Sequence, residues 1–402
     1  MISEFIIKNF TSVRDEQRLS FVPSADTKLS DEYMLEVRPG VQLLKIGMIY
    51  GNNASGKSNV LKALEFVRKV MTEMPSDKLS RIDVVPFLLD DASRNSPTEF
   101  ALTFYLQQIR YTLTLVLDSE RIHLEELTLA ESSKPALLYR RTYHSELDRS
   151  QVTFGTKVKI SKEDRQAIIA NTINNCTVLA AFGKANVSTS RLNQVYEFFA
   201  TGLKPLLTPD TMLAQFVKQS LKSTSKNSLK QFVVEMLKLS DFNIVDFNLT
   251  RDPNAILTFE HRTPDGVYSL PEQMGSVGTV RFMAMAIILD TLLSGNSIVA
   301  IDEIESSIHY ELLSYFIKVF LANSRNNAQL LLTTHDINLL NEDYIRRDVV
   351  WFTDKTAQGN TSLLRLSELG LHKTLSPYHA YRQGKLINLP FLGSIYLPQN
   401  ED

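Results

Sequence analysis

Gly51-Asn52-Asn53-Ala54-Ser55-Gly56-Lys57-Ser58 has the spacing G-x-x-x-x-G-K-S, and residues of these types suit one task, the gripping of a phosphate chain. Glycines let backbone N–H groups turn inward around phosphate oxygens, and a helix beginning here would add its positive end. Lys57 brings charge for the β- and γ-phosphates, and the Ser58 hydroxyl suits Mg²⁺. Asn52, Asn53, Ala54, Ser55, Gly56, Lys57, Ser58 and Asn59 together make the expected nucleotide cradle.

A second constellation lies downstream. Ser297-Ile298-Val299-Ala300-Ile301-Asp302-Glu303 reads as a buried parallel strand whose carboxyl end presents two acids. Downstream of a phosphate loop, Asp302 is expected to hold Mg²⁺ and Glu303 to orient and polarise a water; alone, the pair could be plain strand-end acids. Gln329-Leu330-Leu331-Leu332-Thr333-Thr334-His335-Asp336 is another apolar strand, and the helix Tyr310 to Leu321 between them completes a β-α-β unit. That unit would set His335 beside Glu303, within reach of a γ-phosphate. Met274-Gly275-Ser276-Val277-Gly278-Thr279 precedes an apolar helix, Phe282 to Leu293, and offers a second anion site at a helix start through Ser276 and Gly278.

The elements that must position these residues fall into three stretches. Residues 1–160 read as strands around one helix, with the P-loop strand at Lys45 to Tyr50 and a hairpin from Thr98 to Leu117 that turns near Gln107-Gln108. Residues 161–243 read as helical, for example Gln166 to Ala181 and Gln215 to Leu239. Strands return over 244–402, where Thr263-Pro264-Asp265-Gly266 signals a hairpin. The expected fold is α/β, one head in two lobes interrupted by a helical insertion. At 402 residues, 44% hydrophobic and 22% charged, the chain can bury a large core. A net charge of −2 creates no global field toward nucleic acid or membrane. One cysteine, Cys176, excludes an internal disulfide framework. The absence of a signal-like N-terminus and of a long uninterrupted apolar run gives the expectation of a cytoplasmic protein without a membrane partner.

The order P-loop, long insertion, Ser-x-Gly signature, acidic strand and histidine resembles ABC-type ATPase heads. The resemblance narrows to the soluble, defence-associated ABC ATPases of bacteria, the group that includes RloA/AbiL-like, PtuA-like and OLD-family ATPase domains. Asn9-Phe10 with Ser12, the P-loop through Asn59, Pro86-Phe87, Pro97-Thr98-Glu99-Phe100, Asp302-Glu303-Ile304-Glu305-Ser306-Ser307-Ile308-His309, Thr334-His335-Asp336 and Tyr381-Arg382-Gln383-Gly384-Lys385 carry it. Tyr310 stands where that group usually has proline, and no inter-lobe glutamine can be assigned. The resemblance implies ATP and Mg²⁺ as ligands and a homodimer packed head to tail. The Ser276 hydroxyl and the Gly278 N–H of one copy would cap the γ-phosphate held by Lys57 and Ser58 of the other. It also implies a separately encoded effector, often a nuclease, in anti-phage defence. The residues after His335 are too few for an added nuclease domain of usual size. Lys218, Lys222, Lys226, Lys230 and Lys238 suit either a nucleic-acid backbone, an acidic partner or simple solvation. An SMC-like ATPase of DNA repair or maintenance is the alternative reading. It would need a long coiled coil or a Cys-x-x-Cys hook, and neither pattern occurs. A transporter subunit is disfavoured by the length between Ser58 and Ser276.

Overall fold

The helix that follows the glycine loop, Lys57–Thr72, packs against a strand from each of two sheets. Its buried residues, Val60, Leu61, Ala63, Leu64, Val67 and Met71, recur at helical spacing and form the stripe that both sheets cover. These are features of a computed structural model, which describes residues 1–132, 134–212, 214–223, 227–239, 243–250, 255–370 and 375–386.

The first sheet has seven antiparallel strands in the order Arg149–Phe154, Ala136–His144, Ile122–Ala130, Ile109–Leu117, Thr98–Leu106, Ile2–Lys8, Gln17–Ser20. The expected hairpin turns at Gln107 and Gln108, both in left-handed conformation with φ 47° and 67°. That is the backbone a two-residue hairpin loop demands. Phe100, Leu102 and Phe104 face inward opposite Leu115, Leu113 and Tyr111, and all are buried.

The second sheet positions the site. Its order is Ile298–Ile301, Gln329–Thr333, Ile46–Gly51, Val350–Lys355, Thr361–Arg365, and only the last strand is antiparallel. The first three strands are buried along their whole length, which explains their unbroken apolar runs. Register does the rest. Ile301 lies beside Leu332 and Thr333 beside Ile49, so three strands end together. The residues that follow them, Asp302, His335 and the loop from Gly51, emerge at one edge, where ligands bind in parallel sheets. A mixed sheet lobe joined to a parallel core that carries the P-loop is the α/β arrangement expected from the sequence.

One expected helix proves to be a pair. Gln166 to Ala181 is broken into Lys162–Asn171 and Val178–Lys184. Thr177 caps the second helix by accepting from Ala180 N–H, and buried Arg141 holds the carbonyls of Ile173 and Asn174 in between. Of Gln215 to Leu239, Ala214–Ser223 and Asn227–Leu239 are helical as expected, and residues 224–226 lie outside the described residues. This helical stretch also reaches the core sheet. Leu203 and Leu207 form parallel bridges to Ile298 and Ile301, with Leu207 N–H on Ala300 O at 3.0 Å and Asp302 N–H on Leu207 O at 2.7 Å.

The helix Val277–Ser294 is the one helix among the described residues long and apolar enough to cross a bilayer, and 67% of it is buried inside the head. A helix apolar on every side is what a core position requires.

Candidate active site

The glycine loop has the backbone that its sequence demands. Gly56 has φ 104° and Ala54 φ 61°. A Cβ on Gly51 would lie 2.5 Å from Thr353 O, and one on Gly56 would strike the Thr361 hydroxyl. Side chains from behind hold the loop open. Ser55 Oγ shares a hydrogen with Thr353 Oγ1 at 2.6 Å, Thr361 Oγ1 donates to Ser55 O at 2.9 Å, and Ser12 Oγ bonds Thr361 Oγ1 at 2.7 Å. Asn59 Nδ2 closes the chain by donating to Ser12 Oγ at 2.7 Å. The Ser55 hydroxyl and the Asn59 amide, both candidates for nucleotide contact, are thus committed to the scaffold, and the Ser55 N–H donates to Asn52 O at 3.2 Å within the loop. Asn9 splices in the segment before the Thr98 strand through the carbonyls of Ser93 and Ser96 and the N–H of Phe87. Phe10 packs between Phe66 and Phe100.

Lys57 is only 5% exposed, and its ammonium curls under the loop to donate to Gly51 O at 2.9 Å and Asn52 O at 3.1 Å. Burial holds its pKa below the ordinary lysine value, while the charges of Glu305, Asp302 and Glu303 oppose that shift. A buried cation with neutral acceptors and acids at its rim is poised for an anion.

Asp302 is buried and accepts from Thr333 Oγ1 at 2.5 Å. The same Thr333 oxygen accepts from Glu303 N–H at 2.8 Å. Glu303 is exposed and sits at φ 48°, a conformation that costs energy outside glycine and is held here by that bond. Glu305 Oε1 accepts from His335 N–H at 2.6 Å. Burial, then the charge of Lys57, pushes the His335 pKa below its usual 6.5, against the pull of Glu305, Glu303 and Asp302. Lys57, His335 and the three carboxylates therefore share one electrostatic site.

Ser276 and Gly278 do not join it. Ser276 caps the helix Val277–Ser294 by accepting from Gly278 N–H at 3.1 Å, and Gly278 lies against the turn after the acids, where a Cβ would come within 2.8 Å of Ser307 O. The approach is open, with Met274 74% and Val277 56% exposed. The helix is fastened instead to the turn after the acids, where Arg281 donates to Ser306 O at 2.6 Å and to Pro209 O at 3.0 Å.

Four residues of the site escaped motif reading. Thr333, Thr353 and Thr361 are strand residues without a spacing signal, and Glu305 was visible only as part of a longer run. Tyr381, by contrast, was singled out and does reach the loop. Its hydroxyl is 3.5 Å from Asn52 Oδ1, and its ring lies 5.8 Å from Phe352. Gly384, at φ 66°, ends that last helix.

The lysine-rich helices are largely neutralised. Lys218 pairs with Glu272, Lys230 with Asp246 and Lys238 with Glu235. Lys222 is exposed, and Lys226 lies outside the described residues.

No group of three or more His, Cys, Asp or Glu among the described residues could hold a metal unaided. The donors fit Mg²⁺ in the P-loop manner all the same: a Ser58 hydroxyl in the cradle, buried Asp302, and a buried Glu305 Oε2 that has no hydrogen-bond partner.

A family model described as "AAA domain, putative AbiEii toxin, Type IV TA system" matches residues 48–341, from the P-loop strand past His335. The chain belongs to this AAA ATPase family. No curated protein matches the sequence. Among solved structures, the chain is similar to an SMC head domain from Thermotoga maritima (12% identity, TM-score 0.44, 90% of this chain and 98% of that one). It is also similar to an SMC head bound to the C-terminal winged-helix domain of ScpA (13%, 0.47, 91% and 99%). A third is an Smc head with an extended coiled coil, bound to the C-terminal domain of ScpA derived from Pyrococcus furiosus (11%, 0.43, 95% and 98%).

Proposed function

We propose that this AAA-family protein binds and hydrolyses ATP as a slow regulatory switch. Copies would pair head to tail around the nucleotide and control a separately encoded effector, in bacterial anti-phage defence. The observation that carries the reading is the common strand edge, at which Asp302, Glu303, His335 and the loop bearing Lys57 emerge, while the exposed Ser276 turn packs against the turn after the acids. A cradle in one place and an anion-binding helix start in another are complementary halves, and pairing two copies would unite them. The effector and the defence setting are carried over from the sequence resemblance, and the family description adds a putative toxin of a type IV toxin–antitoxin system. A nucleic-acid role for the Lys218 to Lys238 region is less favoured, because three of those lysines already pair with acids.

The chemistry follows from the residues. Ser58 and Asp302 would hold Mg²⁺, which supplies positive charge against the phosphates when bound. Lys57 exchanges two weak carbonyl acceptors for phosphate oxygens. Glu303, exposed at the strand edge, orients the attacking water and takes its proton as the water oxygen bonds to phosphorus and the bond to ADP breaks. His335, neutral at pH 7, meets the γ-phosphate side as a hydrogen-bonding group. Loss of the γ-phosphate removes the cap from the partner's Ser276 loop and loosens the pair, so turnover sets the lifetime of the closed state. The test is Glu303→Gln mixed with ATP and Mg²⁺. A doubled mass by light scattering, absent without nucleotide, is the expected outcome. Wild-type turnover in that variant would refute the assignment of Glu303.

A further inference from the structure

Glu305 lies two residues beyond the acid pair and takes no part in the mechanism above. Its two carboxylate oxygens have different fates. Oε1 accepts from His335 N–H at 2.6 Å and so ties the turn after the acidic strand to the end of the neighbouring strand. Oε2 is buried and has no hydrogen-bond partner. A buried, unpartnered carboxylate oxygen is costly, about 1–3 kcal/mol or more. Such an atom inside a ligand site calls for an occupant. The surroundings say which kind. The Oε1 bond fixes Glu305 to the strand end whose Thr333 holds Asp302, so the open oxygen lies on the acid side of the phosphate site. Asp302 Oδ1 is already engaged by Thr333. Since the protein carboxylates do not form a closed metal cage, a cation there must keep several of its waters, as Mg²⁺ does, and those waters need acceptors.

We propose that Glu305 is a positioning residue of the nucleotide site: Oε1 fixes the strand end bearing His335, and Oε2 accepts a hydrogen bond from water in the hydration shell of the nucleotide's Mg²⁺. The proposal rests on the reading of Lys57 and Asp302 as a metal–nucleotide site. It explains why a third acid stands at this position although Glu303 alone is assigned to activate water. It also separates two effects of opposite sign. The carboxylate repels the phosphates when the metal is missing, and it holds the metal's water when the metal is present.

The test uses the full chain, the non-hydrolysable analogue AMPPNP and Mn²⁺ as a spectroscopic probe. Glu305→Gln keeps an oxygen for His335 N–H but removes the charge and turns the other atom into a donor. The expected result is a loss of about tenfold in Mn²⁺ affinity of the AMPPNP complex, the usual scale for a residue that holds a metal's outer partners. Metal-free AMPPNP affinity should stay equal or tighten. Unchanged Mn²⁺ affinity, or a parallel loss of both affinities, overturns the proposal. Metal-free binding also reports that the variant is folded. If Glu305→Gln does not fold, Glu305→Asp is read the same way, because its shorter side chain cannot span both partners. Failure of the wild-type protein to bind AMPPNP at all would instead remove the nucleotide site itself.

Discussion

Replacing Thr333 by valine is the sharpest probe of how the acid pair is held. The shape is kept and the residue is fully buried, so packing changes little. What goes is one oxygen with two jobs: donor to Asp302 Oδ1 at 2.5 Å and acceptor from Glu303 N–H at 2.8 Å. A hydrogen bond to a charged group is worth about 1.5–3 kcal/mol, and a stranded buried N–H costs about 1–3 kcal/mol. The N–H can turn toward water because Glu303 is exposed, so a combined loss of about 2–4 kcal/mol is expected. With a urea slope of about 3 kcal/mol/M, the unfolding midpoint should fall by about 1 M. The bond also holds Glu303 at φ 48°, so its loss should let the carboxylate drift from the strand edge. Hydrolysis should then fall at least tenfold while ATP binding through Lys57 persists. The assay pairs urea melts with steady-state phosphate release. A variant with the wild-type midpoint and the wild-type rate would show that Thr333 does not hold the pair.

Other outcomes follow from the same geometry. Lys57→Ala should abolish ATP binding by calorimetry, whereas unchanged affinity would remove the cradle. The His335 pKa is lowered by burial and by Lys57, so the unfolded chain binds its proton first. Stability from this group is complete above about pH 6.5 and drains as the pH falls from there toward the folded value. Urea midpoints at pH 7.5 and 5.5 should therefore drop more for the wild type than for His335→Gln; equal drops would refute it. Burial pushes the Cys176 thiol up to about 12, so a thiol reagent at pH 8 should label it only after unfolding, and rapid labelling of the native protein would contradict the burial.

The chemistry was legible where it is local. The cradle is a contiguous spacing, and the acidic strand and the His335 strand announce themselves as apolar runs with polar ends. The hairpins at Gln107-Gln108 and Pro264-Asp265 carry their turn residues beside them. What stayed hidden joins distant parts of the chain. Thr333, Thr353 and Thr361 look like ordinary strand residues, and only strand register brings their hydroxyls to Asp302 and Ser55. The break between Asn171 and Val178 was missed because Ile169, Ile173 and Cys176 keep a helical spacing across it. The pairing of Leu203 and Leu207 with the acidic strand has no sequence mark at all, since two leucines around Lys204-Pro205 look like any connector.

That pairing has a mechanical meaning. The amide of Asp302 hangs from the carbonyl of Leu207, and Leu207 sits just ahead of the helix Ala214–Ser223. Two residues on, the carbonyl of Pro209 is held by Arg281, so a shift of the segment 203–209 bears on the aspartate amide at one side and on the helix Val277–Ser294 at the other. A body that moves this segment would reach the carboxylate without entering the cleft.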